Sequence, residues 1–76
     1  MTESMRKALE WLCARGGDGV FVRARNDEGA LYNTLLAGGD FAPFWWKTWL
    51  KLRDAGAIEE YAAGKARRFR VVEGAK

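Results

Sequence analysis

The chain contains no histidine, and only one cysteine and one proline among 76 residues. Without histidine there is no imidazole to serve as a general base near neutral pH, to complete a Ser-His-Asp triad or to ligate a metal. The single thiol, Cys13, excludes an intramolecular disulfide and a four-cysteine zinc site, and it fits a reducing compartment. The longest uninterrupted apolar runs are a few residues, too short to cross a bilayer, and no secretory apolar segment opens the chain. The expectation is a cytoplasmic protein. No proline-rich linker, low-complexity tract or repeat divides the sequence, so residues 1–76 are read as one domain.

What is present suits a small folded unit. Hydrophobic residues make up 49% and charged residues 30%, which is a globular balance rather than a disordered one. Four Trp, four Phe and two Tyr supply large apolar area per residue, which a chain this short needs to build a core. Thirteen Lys and Arg oppose ten Asp and Glu, for a net +3. The excess is local: residues 1–40 carry a net −1 and residues 41–72 a net +4, so the positive field belongs to the second half.

Met5, Ala8, Leu9, Leu12 and Cys13 recur at helical spacing and predict a first helix, capped by Thr2 or Ser4 and stopped at Gly16-Gly17. Trp11 falls off that face and is expected to cover a flank or to contact another element. Val20-Phe21-Val22-Arg23-Ala24-Arg25 reads as a short strand or, equally, as an extended connector. For the next segment the i+4 pairs Leu31/Leu35 and Tyr32/Leu36, an Asn26 or Asp27 cap and a Gly38-Gly39 stop predict a second helix. The competing reading is a hairpin, Val20 to Arg25 against Ala30 to Leu36, turning through Asn26-Asp27-Glu28-Gly29. A third helix is expected from an Asp40 cap to Gly56, with Pro43 in its first turn and Phe41, Trp45, Trp49 and Leu52 as its apolar stripe. Ile58 to Tyr61 and Arg68 to Val72 then form two strands joined by a loop with Gly64 at its tip, Phe69 and Val71 on one face and Arg68 and Arg70 on the other.

Residues Thr48 to Glu59, followed by Arg68-Phe69-Arg70-Val71-Val72, carry a resemblance to the winged helix-turn-helix superfamily of DNA-binding domains. In that superfamily the recognition helix places apolar residues four, seven and eleven positions before a glycine, and an apolar residue two positions after it opens the wing. Leu52, Trp49, Trp45 and Ile58 stand in those places before and after Gly56. The residue-level match covers 45–72. The resemblance implies an α+β fold of three helices, a short strand and a two-stranded C-terminal wing, and a function in binding double-stranded DNA as a small transcriptional regulator, similar to those of phages and mobile elements.

Charge placement supports the same expectation. Lys47 and Lys51, one turn apart, suit phosphates or guanine edges, while Lys65, Arg67, Arg68 and Arg70 crowd the expected wing. Phe44, Trp46 and Leu50 lie off the core stripe of the third helix and form a candidate patch for a protein partner or a homodimer, the basis of an alternative role as an adaptor or inhibitor. RNA binding is disfavoured because the strands lack a stacked aromatic platform.

Other motifs fail on spacing. Gly16-Gly17-Asp18-Gly19 lacks the Gly-Lys-Ser/Thr of a phosphate loop, and at Gly64-Lys65 the hydroxyl residue is replaced by Ala66. Asp27-Glu28 and Glu59-Glu60 are adjacent pairs whose side chains diverge, better explained by capping and solvation than by a cation. No residue set points to enzymatic activity, a metal or a cofactor.

Overall fold

The computed structural model describes residues 1–72; residues 73–76 of the expected domain lie outside the described residues. Thr2 caps the first helix, its Oγ1 accepting the Met5 N–H at 3.2 Å. This helix, α1, spans Glu3–Cys13 and buries Met5, Ala8, Leu9 and Leu12. Gly16 and Gly17, both with positive φ, turn the chain into strand β1, Asp18–Arg25.

The segment expected to be a second helix is instead strand β2, Leu31–Ala37, paired antiparallel with β1 so that Val20 lies opposite Leu36 and Arg25 opposite Leu31. Two turns impose this. At one end the Asn26 side-chain oxygen accepts the N–H groups of Glu28 and Ala30, each at 2.9 Å, and Gly29 takes φ +84°. The side chain thus closes a hairpin turn rather than opening a helix. At the other end Gly38 and Gly39 have φ +60° and +83°, the consecutive left-handed pair of a tight two-residue hairpin, with Ala37 and Asp40 paired across it. The double glycine therefore reverses a strand. Asp40–Phe41 forms the short strand β3 on the outer side of β2.

Helix α2 begins later than expected, at Trp46, and ends at Asp54. Asp40 and Phe41 belong to β3, Pro43 precedes the helix, and Trp45 stands at its N-cap without a side-chain capping bond. Gly56, at φ +79°, closes it: its N–H bonds the Arg53 carbonyl and the Ala57 N–H bonds that of Leu52, each at 3.0 Å. Strands β4, Ile58–Ala63, and β5, Ala66–Val71, pair through a two-residue turn at Gly64-Lys65.

Among the described residues the architecture is thus two helices and a five-stranded antiparallel sheet of order β3-β2-β1-β5-β4. The three-helix winged helix-turn-helix expected from the sequence is overturned: one expected helix is a strand, and the sheet has five strands where three were expected.

Paired residues in antiparallel strands share a face, and alternate residues change face. The buried apolar strand residues Leu35, Ala37, Ile58 and Phe69 all fall on one face, together with Phe21 and Gly19, while Thr34, 1% exposed, alternates onto the other and donates its hydroxyl to the Ala42 carbonyl at 3.0 Å. Both helices pack there, forming one core with Trp49 and Leu52 of α2 and Leu9 and Leu12 of α1. Trp11 does cover a flank: its ring meets Phe44 and Trp49 at centroid distances of 6.4 and 6.2 Å, and Arg15 lies 4.2 Å over it. Cys13 packs against the same core, half-buried. The other face of the sheet has neither helix on it. It carries Val20, Val22, Ala24, Tyr32, Leu36 and Phe41 on one side and Asp18, Glu59, Tyr61, Arg68 and Arg70 on the other.

Candidate nucleic-acid interface

The six cations expected to contact DNA divide into two groups. Arg67, Arg68 and Arg70 are held by carboxylates. Arg67 donates to both oxygens of Glu60, at 2.8 and 3.1 Å, and Glu60 also accepts Arg53 of α2 at 2.7 Å, so one carboxylate ties helix to hairpin. These two arginines hold the Glu60 carboxyl below its ordinary value, Arg67 most strongly. The Arg67 guanidinium lies over the Phe21 ring at 5.0 Å and 5.9 Å from the Phe69 ring.

On the open face, Arg68 donates to Asp18 and to the Tyr61 oxygen, each at 3.1 Å, while the Tyr61 hydroxyl donates to Asp18. Arg70 is bonded to Glu59 and stacks 4.5 Å over the Tyr61 ring. The hydrogen bonds that Arg68 donates to Tyr61 and Arg70 donates to Glu59 raise the pKa of each guanidinium, whose charge is in any case permanent.

Lys47, Lys51 and Lys65 have no carboxylate partner among the described residues, and all three are exposed. Lys65 sits at the β4–β5 turn. Lys47 and Lys51 lie one turn apart on α2, and the Lys47 ammonium is 4.7 Å over the Trp45 ring and 5.6 Å from that of Trp46. Trp45 is 62% exposed, which corrects its expected place in the core stripe: that stripe keeps Trp49 and Leu52 and loses Trp45 and Phe41, the latter 55% exposed on β3. The reason is the late helix start. At the N-cap Trp45 has extended backbone, so helical spacing from Trp49 no longer fixes its direction.

The apolar candidates are also divided. Phe44 and Leu50 are half-buried against the core, Phe44 meeting Trp49 edge-on at 6.0 Å, while Trp46 is half-buried beside Trp45 at 6.3 Å. Buried Trp49 has an indole N–H with no acceptor, flanked by the rings of Trp11 and Phe44.

The residues that sequence reasoning missed are Asp18, Tyr61, Arg53, Glu59 and Glu60, which neutralise or brace the hairpin arginines. A two-residue turn at Gly64-Lys65 was the available signal, because it alone sets Glu59 opposite Arg70 and Tyr61 opposite Arg68. Among the described residues no three His, Cys, Asp or Glu side chains gather to hold a metal, and no helix is long and apolar enough to cross a membrane. Comparison with known protein families, curated proteins and solved structures finds no match to this chain.

Proposed function

We propose that this protein binds DNA through the outer surface of α2, with Lys47 and Lys51 on the phosphates and Trp45 stacked on an unpaired base. One observation carries the reading: an exposed tryptophan with a lysine 4.7 Å over its ring and a second lysine one turn away, both lysines without a carboxylate partner among the described residues. Unpaired cations release counterions when they meet a phosphate backbone, and an exposed indole gains most from a base that is not already stacked in a duplex. Single-stranded segments are therefore the favoured form. The hairpin arginines contribute less, because each must leave a carboxylate before it can meet a phosphate. The alternative of a protein adaptor acting through Phe44, Trp46 and Leu50 is weakened, since two of the three pack on the core.

Anisotropy titrations of labelled single-stranded and duplex DNA of equal length, over a range of salt, test this. Lys47→Ala and Lys51→Ala should each reduce the salt slope by about 0.7 on the single strand, and Trp45→Ala should cost about 1 to 3 kcal/mol there and little on the duplex. Absence of binding to either form at low salt, or binding indifferent to all three substitutions, overturns the reading.

A further inference from the structure

The helices leave part of their own face of the sheet uncovered. Phe21 is half-buried beneath them, but Arg23, Arg25 and Leu31, which alternate onto the same face beyond it, are exposed, Leu31 at 54%. The sheet therefore projects as a shelf. Helix α2 borders it: the helix touches β2 and β4, which lie on opposite sides of β1 and β5, and Arg53, on the flank it shares with Trp46 and Leu50, reaches Glu60 of β4 at 2.7 Å.

This shelf carries more cations than its carboxylates hold. Phe21 lies opposite Arg67, so Arg23, two residues further along β1, stands at the same end of the sheet as Lys65, two residues before Arg67 in the β4–β5 turn. Glu60 and Asp54 engage Arg53 and Arg67. Arg23 and Lys65 are exposed and have no carboxylate partner among the described residues: the residue across from Arg23 is the neutral Asn33, and neither Asp27 nor Glu28 in the β1–β2 turn pairs with them. A neutral or apolar partner gains nothing from two unpaired cations and a basic partner is repelled, so the surplus selects an anion.

Resting on the reading of α2 as a strand-binding surface, we infer that a single strand held there continues onto this shelf, with Arg23 and Lys65 binding its next phosphates. Lys47 and Lys51 face away from the sheet, opposite the buried Trp49 and Leu52, whereas Arg23 lies on the sheet itself. The two levels differ by about 10 Å, the thickness of a helix. A flexible single strand bends over such a step, while a stiff duplex or a flat anionic membrane reaches only the upper level. The step thereby favours single strands independently of Trp45.

Anisotropy titrations of the full chain with labelled oligothymidylates of about 4 and about 12 nucleotides, over a range of salt, separate the two parts of this track. The short strand fills α2 alone, and the long strand reaches the shelf. Arg23→Ala and Lys65→Ala should each lower the salt slope by about 0.7 on the long strand and leave the short one unchanged. Arg23→Lys should keep the parent slope. Lys7→Ala removes an exposed charge from α1, off the shelf, and should leave both slopes as they are. These four substitutions alter exposed side chains, so circular dichroism should match the parent. Long-strand binding indifferent to both Arg23→Ala and Lys65→Ala overturns the proposal, as does an equal loss in Lys7→Ala, which would make net charge the cause. An equal loss on both lengths also overturns it, since the first contacts would then lie on the shelf. Indifference of the short strand to Lys47→Ala and Trp45→Ala, with the Arg23 and Lys65 effects intact, overturns instead the reading of α2 and confines strand binding to the shelf.

Discussion

The two faces of one sheet solve the same problem in opposite ways. On the helix side Phe69, Leu35 and Ile58 are sealed beneath α1 and α2, and the charged residues keep to the margin, where Arg53 and Arg67 meet at Glu60. On the open side Tyr32 and Phe41 stay 41% and 55% exposed, and the polar half is organised instead by Asp18, Tyr61 and Arg68. The difference is that one face is sealed by helices, while the other is held by pairs of side chains within the sheet itself. Substitutions on the two faces should therefore differ in size as well as in kind.

The largest expected effect is on the sealed face. Phe69→Ala removes a fully buried ring that packs edge-on against Phe21, and should destabilise the protein by about 3 to 5 kcal/mol in denaturant titrations. That approaches the whole stability of many domains of this size. A loss below about 1 kcal/mol would erase the distinction between the faces. Gly19→Ala comes next. A methyl group there would stand 2.9 Å from two carbons of the buried Leu35 side chain and 3.1 Å from the Leu36 carbonyl oxygen, so overpacking should cost about 1 to 3 kcal/mol. A neutral result by the same titration would mean that the core beneath β1 yields more easily than its burial implies.

On the open face the corresponding change is smaller. Tyr61→Phe keeps the ring under Arg70 and removes only the hydroxyl shared by Asp18 and Arg68, at a cost of about 1 kcal/mol. A shift of the thermal midpoint equal to that of Phe69→Ala would make this polar cluster as structural as the core.

The smallest effect is titratable. Glu60 has its pKa lowered in the folded protein, so its ion pairs contribute stability above its ordinary unfolded value, and that contribution is lost as pH falls through the folded value. The pairs are at the surface, so the amount is about 0.5 kcal/mol and should shrink in high salt. Thermal melts of the parent and Glu60→Gln should differ at pH 7 and converge in acid. A difference that persists in acid would assign the effect to packing rather than charge.

Much of the sealed face was legible in the sequence. The spacing of Met5, Ala8, Leu9 and Leu12 describes only a helix, and Arg68-Phe69-Arg70-Val71 alternates as only a half-buried strand does. Residues 31–37 were not legible, because Leu31, Tyr32, Leu35 and Leu36 satisfy helical spacing as well as they satisfy a strand. What decides the matter lies outside the segment, in the Asn26 side-chain bonds and the left-handed Gly38-Gly39 pair. The basic residues of the candidate site were legible as charges but not as free charges. Whether an arginine is available depends on the carboxylate across the strand, and strand register sets that.

The place of β1 has a kinetic consequence. Its two neighbours in the sheet differ in their distance along the chain: β2 follows through a short turn, whereas the much later β5 sets Arg70 opposite Asp18. Each hairpin can close locally on a timescale of about 1 to 10 μs, but neither holds a core until the two meet along β1 and β5. Pairing β1 with β5 closes a loop over most of the chain, a cost that local hairpins alone do not carry. Loop-closure entropy is thus spent before the core forms.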